Sequence, residues 1–246
     1  MIHPATELRH VNDTIGYGVF ATAFIPAGTI TWVRDALDQT FSPQQAHKLP
    51  ASYHAILDKY TFTDAAGRMV LCWDHARFIN HSCEATCLST GFEFEIAIRD
   101  LQPGEELTDD YGSLNLHEEF PCACTSPRCR QIIRPDDMER HAEAWDAVVE
   151  PLFRRLRKLP QPLWPFLKEQ DAVEQAQKMP LGIREHACCL ILDPSTISHL
   201  LFCGIPTLWI KSMNPSKLRP RYRKVYILPL SGILFEYIMT SELNHT

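Results

Sequence analysis

Positive charge is scarce in this 246-residue chain: 24 Lys and Arg stand against 30 Asp and Glu, a net charge of -6 with a pI near 6.0. Phosphate binding depends on clustered Lys and Arg, so direct nucleic acid binding is not expected, and a basic partner suits the chain better. No leader is expected either. The first thirty residues carry Glu7, Asn12 and Asp13 and no apolar run behind basic residues, so no signal peptide is read and an intracellular setting is expected. Nor is there an unbroken apolar run of the roughly twenty residues a membrane helix needs. Asp193 and Pro194 interrupt the apolar stretch 187–210, and Pro229 and Glu236 interrupt 225–239. The basic stretch 219–224 reads as a solvated turn before a core segment, so membrane contact is not expected. Repeats and low-complexity tracts are absent. What remains is 45% hydrophobic and 10% aromatic composition, enough to bury a core in one large domain or a domain with an appendage.

Nine cysteines in a chain without a leader point to a reducing compartment, where metal binding or catalysis explains a cluster better than disulfides do. The segment PCACTSPRC holds Cys122, Cys124 and Cys129 in a loop too short for a core of its own. A structural zinc takes four ligands in a tetrahedron, so three local thiols need a fourth from elsewhere, and Cys83 is the natural candidate. Cys83 lies in RFINHSCEATC (77–87), where three readings compete: a Cys/His or Ser/His nucleophile, half of a metal site, or a polar turn satisfying its own backbone. The isolated Cys72, Cys87, Cys188, Cys189 and Cys203 read as small buried hydrophobes.

The β-branched residues, glycines and proline of 15–30 favour short strands and turns. FEFEIAIRD alternates, with Phe92, Phe94, Ile96 and Ile98 on one face, and reads as a half-buried strand. Pro103 and Gly104 then make a turn before another extended piece. After Pro135 the pattern changes. Met138, Ala142, Trp145, Val148, Val149, Leu152 and Leu156 fall at helical spacing, with acids early and Arg and Lys late as the helix dipole prefers. A boundary near residue 135 follows.

GYG (16–18), RFINHSC (77–83), GEELTDDYG (104–112) and CACTSPRC (122–129) occur in the order and at the separations of the SET-domain protein-lysine methyltransferases with a post-SET zinc loop. The resemblance spans about residues 8–132, and four short motifs agreeing at once make it specific. It implies a mainly β fold with short helices: a SET-like β-clip of small curved sheets with a threaded, pseudoknot-like active-site segment. The implied division is a catalytic domain over 1–120, a zinc loop over 121–135 and a C-terminal extension over 136–246, helical at least to about 158. The implied activity is transfer of a methyl group from S-adenosylmethionine to a lysine amine of a protein or peptide, by a monomer carrying one structural Zn2+. A non-catalytic, zinc-stabilised peptide-binding module is the alternative.

Roles carried over from the resemblance are as follows. Tyr111, Asn80 and His81 match the catalytic positions; Gly16, Tyr17, Gly18, Arg77, Asn80 and His81 match positions around the methyl donor; and Tyr60, which opens YTFTD at the position of a family strand, falls on the lysine channel with Asp109 and Tyr111. Cys83, Cys122, Cys124 and Cys129 match the zinc ligands, and Arg77 and Glu106 match positions that can form a buried ion pair. On this reading the cluster at 77–87 divides its labour: Asn80 and His81 serve the cofactor, Cys83 completes the zinc site, and Ser82 is a spacer. Three departures stand out. Ala85 and Thr86 stand where Pro-Asn usually follows NHSC and an acidic residue; no cysteine-rich segment precedes GYG; and Asp109 stands where Phe or Tyr is usual. An ionised carboxylate beside the substrate amine would hold it as ammonium, so the expectation is that Asp109 points to solvent or caps a turn.

Overall fold

The computed structural model describes residues 1–178, 209–211 and 226–228. The apolar stretches 187–210 and 225–239, the basic stretch 219–224 and Cys188, Cys189 and Cys203 lie wholly or almost wholly outside the described residues. In chain order the elements are β1 (Thr6–Asn12), β2 (Gly16–Ala21), β3 (Ile30–Val33), β4 (Gln39–Phe41), α1 (Pro43–His47), α2 (Ala51–Tyr60), β5 (Thr61–Thr63), β6 (Met69–Leu71), β7 (Asn80–His81), β8 (Cys87–Ser89), β9 (Phe94–Ala97), β10 (Glu106–Asp109), β11 (Phe120–Pro121), β12 (Ile132–Ile133), α3 (Asp137–Phe153) and α4 (Gln170–Lys178). Two further strands, Trp209–Lys211 and Tyr226–Leu228, pair antiparallel with each other. The architecture is mostly β in small sheets with short helices, as the sequence led us to expect.

Three sheets matter for the site. They run β1-β2-β10-β7, β3-β9-β8 and β4-β6-β5. The first begins as a hairpin in which Asn12 Oδ1 accepts the N–H groups of Thr14 and Ile15, and Gly16, at φ +85°, starts the return strand. β10 then pairs antiparallel with β2 on one edge and parallel with β7 on the other, so Thr108 faces Asn80 and Asp109 faces His81. That parallel pairing brings together two segments 26 and more residues apart in sequence without any hairpin between them. Val19, Ala21, Ile25, Leu101 and Leu107 are fully buried beneath it.

Two expectations are corrected here. β9 is buried along its whole length, because α3 and its neighbouring sheet cover both faces; Phe153 of α3 stacks on Phe92 and Phe94 with centroids 5.7 and 6.3 Å apart. The strand is therefore not half-exposed, and its acid, Glu95, lies inside. Tyr60, read as opening a strand, is the last residue of α2, and β5 begins one residue later.

Residues 136–178 pack into the same unit as the sheets. α3 carries Asp137 and Glu139 in its first turn and i,i+4 ion pairs from Arg140 to Asp136 and from Arg154 to Glu150. Beyond it, Gln161 accepts the Ile30 N–H at 2.8 Å and donates to the Gly28 carbonyl at 2.9 Å, tying the extension to β3. Among the described residues, no helix is long and apolar enough to cross a membrane.

Candidate functional site

Tyr111 follows β10 in a short 3-10 turn (Tyr111–Ser113) whose preceding residue, Asp110, accepts the Gly112 N–H at 3.0 Å. The Tyr111 N–H donates to His81 Nδ1 at 3.1 Å, and its hydroxyl donates to the Ile79 carbonyl at 2.7 Å. Both ends of the tyrosine are thus fixed by the segment that carries β7. Burial, with the charges of Asp109, Glu95 and Glu106 adding to it, raises the phenol well above its ordinary pKa. It stays protonated at neutral pH and cannot serve as a base.

Asn80 Nδ2 donates to the Tyr17 carbonyl at 3.0 Å and to Glu106 Oε1 at 2.7 Å. A Cβ on Gly18 would collide with Glu106 Oε1 and lie 2.9 Å from Asn80 Nδ2, so a glycine is required there by these two side chains. Around Gly16, by contrast, a Cβ would meet nothing within 4 Å. Beside this open space stand three aromatics: Tyr17 packs edge-on against Phe78 at 6.1 Å, and Phe78 against Tyr60 at 5.1 Å.

The Arg77–Glu106 ion pair is not formed. The 3-10 turn His75–Phe78 faces Arg77 outward, where its guanidinium lies over the Phe78 ring at 5.2 Å, and Glu106 takes Asn80 as its partner. Asp109 also departs from expectation. It is 2% exposed and faces Glu95, which is 8% exposed, with no cation between them among the described residues. Burial, the Glu95 charge and Asp110 raise Asp109 well above the ordinary carboxylate range, and burial pushes Glu95 up to about 7. One Glu95 oxygen, Oε2, has no hydrogen-bond partner. Two buried acids held this way both favour the protonated form, so a carboxyl pair and not an aromatic wall stands behind Tyr111.

The cysteine loop closes over the same place. The ligating atoms of His81, Cys83, Cys122 and Cys124 all lie within 4.8 Å of one another, and the Cys129 thiol rests against Cys122 and Cys124. Thiolates at about 2.3 Å from a tetrahedral zinc stand about 3.8 Å apart. The Cys83 and Cys122 sulfurs are 3.8 Å apart. Four backbone amides point at the sulfurs: Cys83 N–H to Cys124 at 3.5 Å, Cys124 N–H to Cys122 at 3.5 Å, Arg130 N–H to Cys83 at 3.3 Å and Gln131 N–H to Cys129 at 3.4 Å. Burial raises the Cys83 and Cys122 thiols. It acts on Cys124 as well, but the amides of Cys83 and Ser126 and the neighbouring thiols of Cys122 and Cys129 outweigh it and bring Cys124 down to about 7. The residues present therefore fit a metal ion.

His81 bridges the two halves. Its Nδ1 accepts the Tyr111 N–H and its Nε2 is 3.3 Å from Cys83 Sγ. Burial lowers its pKa, favouring the neutral ring, and with Nδ1 accepting, the proton sits on Nε2 and points at the sulfur. Sequence reasoning missed Asp110, which caps this turn from the next position in the chain, and Glu95, Arg130 and Asp137, which come within reach of it only through tertiary pairing. An acid in the middle of an apolar strand was the one available signal, and it marked Glu95.

Residues 16–112 match the family model described as "SET domain". Over 136 residues the chain is 32% identical to the histone-lysine N-methyltransferase set1 of Dictyostelium discoideum, covering 50% of this chain and 9% of that protein. It is 33% identical over 131 residues to the histone-lysine N-methyltransferase trithorax of Drosophila virilis, covering 48% of this chain and 3% of that protein. The chain thus spans less than a tenth of these relatives' length. A solved structure of KRYPTONITE in complex with mCHG DNA and SAH matches with a TM-score of 0.35 and 24% identity, covering 50% of this chain and 27% of that one.

Proposed function

We propose that this chain is an S-adenosylmethionine-dependent protein-lysine N-methyltransferase with one structural zinc. The observation that carries the reading is Tyr111, held at its hydroxyl by the Ile79 carbonyl and at its backbone by His81, directly beside the Asn80–Tyr17–Glu106 junction. Similarity to histone-lysine methyltransferases over half the chain supports it. A lysine-bearing, basic peptide is the substrate class that the net charge of -6 favours.

When bound, the methyl donor supplies an activated methyl group on a positive sulfonium. Open space above Gly16 and the aromatic edge of Tyr17, Phe78 and Tyr60 fit a cationic, partly apolar ligand, and the residues that would hold it are Gly16, Tyr17 and the 79–81 segment. The chain's own part is orientation and exclusion of water. Tyr111, protonated and immobile, presents a fixed dipole to the reacting centre and acts as an aligning group. Desolvation favours the neutral lysine amine, whose proton passes to solvent water as the side chain enters the channel and not to the tyrosine. In the metal site, Cys83, Cys122, Cys124 and Cys129 are the ligands, because His81 directs an N–H and not a lone pair at Cys83.

The test is a labelled-methyl assay across a lysine peptide library, run beside a thermal shift with S-adenosylmethionine. Donor-dependent labelling and a raised melting temperature are expected. No labelling with an intact thermal shift, or no shift at all, would overturn the enzyme reading.

A further inference from the structure

The SET match ends at residue 112, yet the turn it ends on is held from outside it. Arg130, in the cysteine loop, places Nη2 on Asp110 Oδ1 and Nη1 3.4 Å from Asp137 Oδ2, while its N–H donates to Cys83 Sγ at 3.3 Å. Asp110 is 3% exposed and Asp137 is 1% exposed, so the guanidinium bridges two carboxylates withdrawn from water. Asp110 in turn accepts the Gly112 N–H, one residue past Tyr111. The first turn of α3 presses on the same spot: a Cβ on Gly112 would come within 2.8 Å of Asp137 Cβ. Asp137 Oδ2 also accepts the Arg134 N–H at 3.1 Å, which fixes where the helix begins.

We propose that Asp137, at the start of α3, is a positioning residue for Tyr111, acting through Arg130 and Asp110 and locking the helix, the cysteine loop and the tyrosine turn into one arrangement. The chain of contacts is Asp137 to Arg130, Arg130 to Asp110, Asp110 to the Gly112 amide, and from that turn to the Tyr111 ring. Without the Asp137 charge, Arg130 has one carboxylate instead of two to hold its fork in register, and its Nε already lacks a partner. The 3-10 turn then keeps its bonds to His81 and Ile79, but the Asp110 side of it is held by an arginine with one anchor fewer. The kinetic consequence rests on the methyl-transfer reading; the position of the turn does not.

Asp137→Asn removes the charge and keeps an oxygen to accept the Arg134 amide, so the helix start survives. In the full chain, with metal content matched to the parent by elemental analysis, amide exchange over 109–114 should quicken about tenfold while β2 and β9 keep their protection. Turnover should fall by about tenfold with the Michaelis constant for the methyl donor within about twofold, since a displaced tyrosine loses alignment and not donor binding. Asp137→Glu should restore part of both. Glu139→Gln, on the exposed side of the same turn, should change neither. Unchanged exchange over 109–114 in folded Asp137→Asn protein would overturn the proposal, as would exchange accelerated uniformly through the sheets or lost metal, since either makes Asp137 a general stabiliser. If the parent chain transfers no methyl group at all, the methyl-transfer reading fails and the exchange data still decide the role of Asp137.

Discussion

Asp109 and Asp110 are adjacent, both buried, and surrounded by opposite chemistry. Asp110 turns toward the cysteine loop and meets Arg130, which also reaches Asp137. Asp109 turns toward β9 and meets another acid, Glu95, with no cation beside either among the described residues. One region resolves buried charge by ion pairing, the other by keeping a proton. The difference comes from strand geometry: successive residues at the end of β10 point to opposite sides, so a single step along the chain exchanges an arginine for a glutamate. Tyr111 hangs from the junction, and each region can be broken separately.

The largest effect is expected from removing the metal proposed for the paired side. Structural zinc supplies on the order of 10 kcal/mol to small peptide domains, and residues 121–131 have no core to replace it. We expect one zinc per chain, and chelation or Cys124→Ser should abolish exchange protection of the loop and most of the methyl transfer. Active protein purified without zinc would contradict this. Next comes Arg130→Met, which strands Asp110 and Asp137 without their cation. Removing one partner of a buried ion pair costs about 3–5 kcal/mol, so the urea midpoint should fall sharply. A loss under about 1 kcal/mol would mean that water reaches these carboxylates and that the pairing is of the surface kind.

Between the two regions, Tyr111→Phe leaves the ring and removes the hydroxyl that bonds Ile79. Turnover should drop by about a hundredfold, the scale seen when one oriented donor is removed from a reacting centre, with donor binding preserved in calorimetry. Full activity in this variant would remove Tyr111 from the mechanism.

The paired side was partly legible in the sequence and the protonated side was not. Cys83, Cys122, Cys124 and Cys129 announce themselves by type and spacing, and the Asn80–His81 and Tyr111 motifs lie on β7 and just beyond β10, which pair directly. Arg130 and Asp137 carry no such signal, since an arginine after a cysteine and an acid at a helix start have ordinary local reasons to exist. Glu95 was hidden by its pattern: alternation in FEFEIAIRD assigns it to a solvent face, and only the packing of α3 and a second sheet shows that the strand has none. Arg77 failed for a local reason. A four-residue 3-10 turn rotates it outward, and periodicity arguments built on longer elements do not reach so short a piece.

The smallest effect, and the sharpest test of the contrast, is a pH slope. Glu95 is raised to about 7 and Asp109 well above the usual range, so the folded state binds protons that the unfolded chain, with carboxylates near about 4, releases. Stability from this pair is therefore full below about pH 4 and is lost as pH rises through about 7. His3 and His81, both lowered by burial, act in the opposite direction near neutrality, so the parent's own curve is a sum and the informative quantity is a difference between variants. Glu95→Gln removes one acid and leaves a neutral partner able to hydrogen-bond Asp109 in either state. It should be close to neutral in stability at pH 5 and stabilising by on the order of 1–2 kcal/mol at pH 8, where Arg130→Met is destabilising. Urea midpoints of parent and variant at the two pH values measure it. Equal pH slopes in the two proteins would show that Glu95 and Asp109 do not favour the protonated form and that the contrast with Asp110 is one of position only.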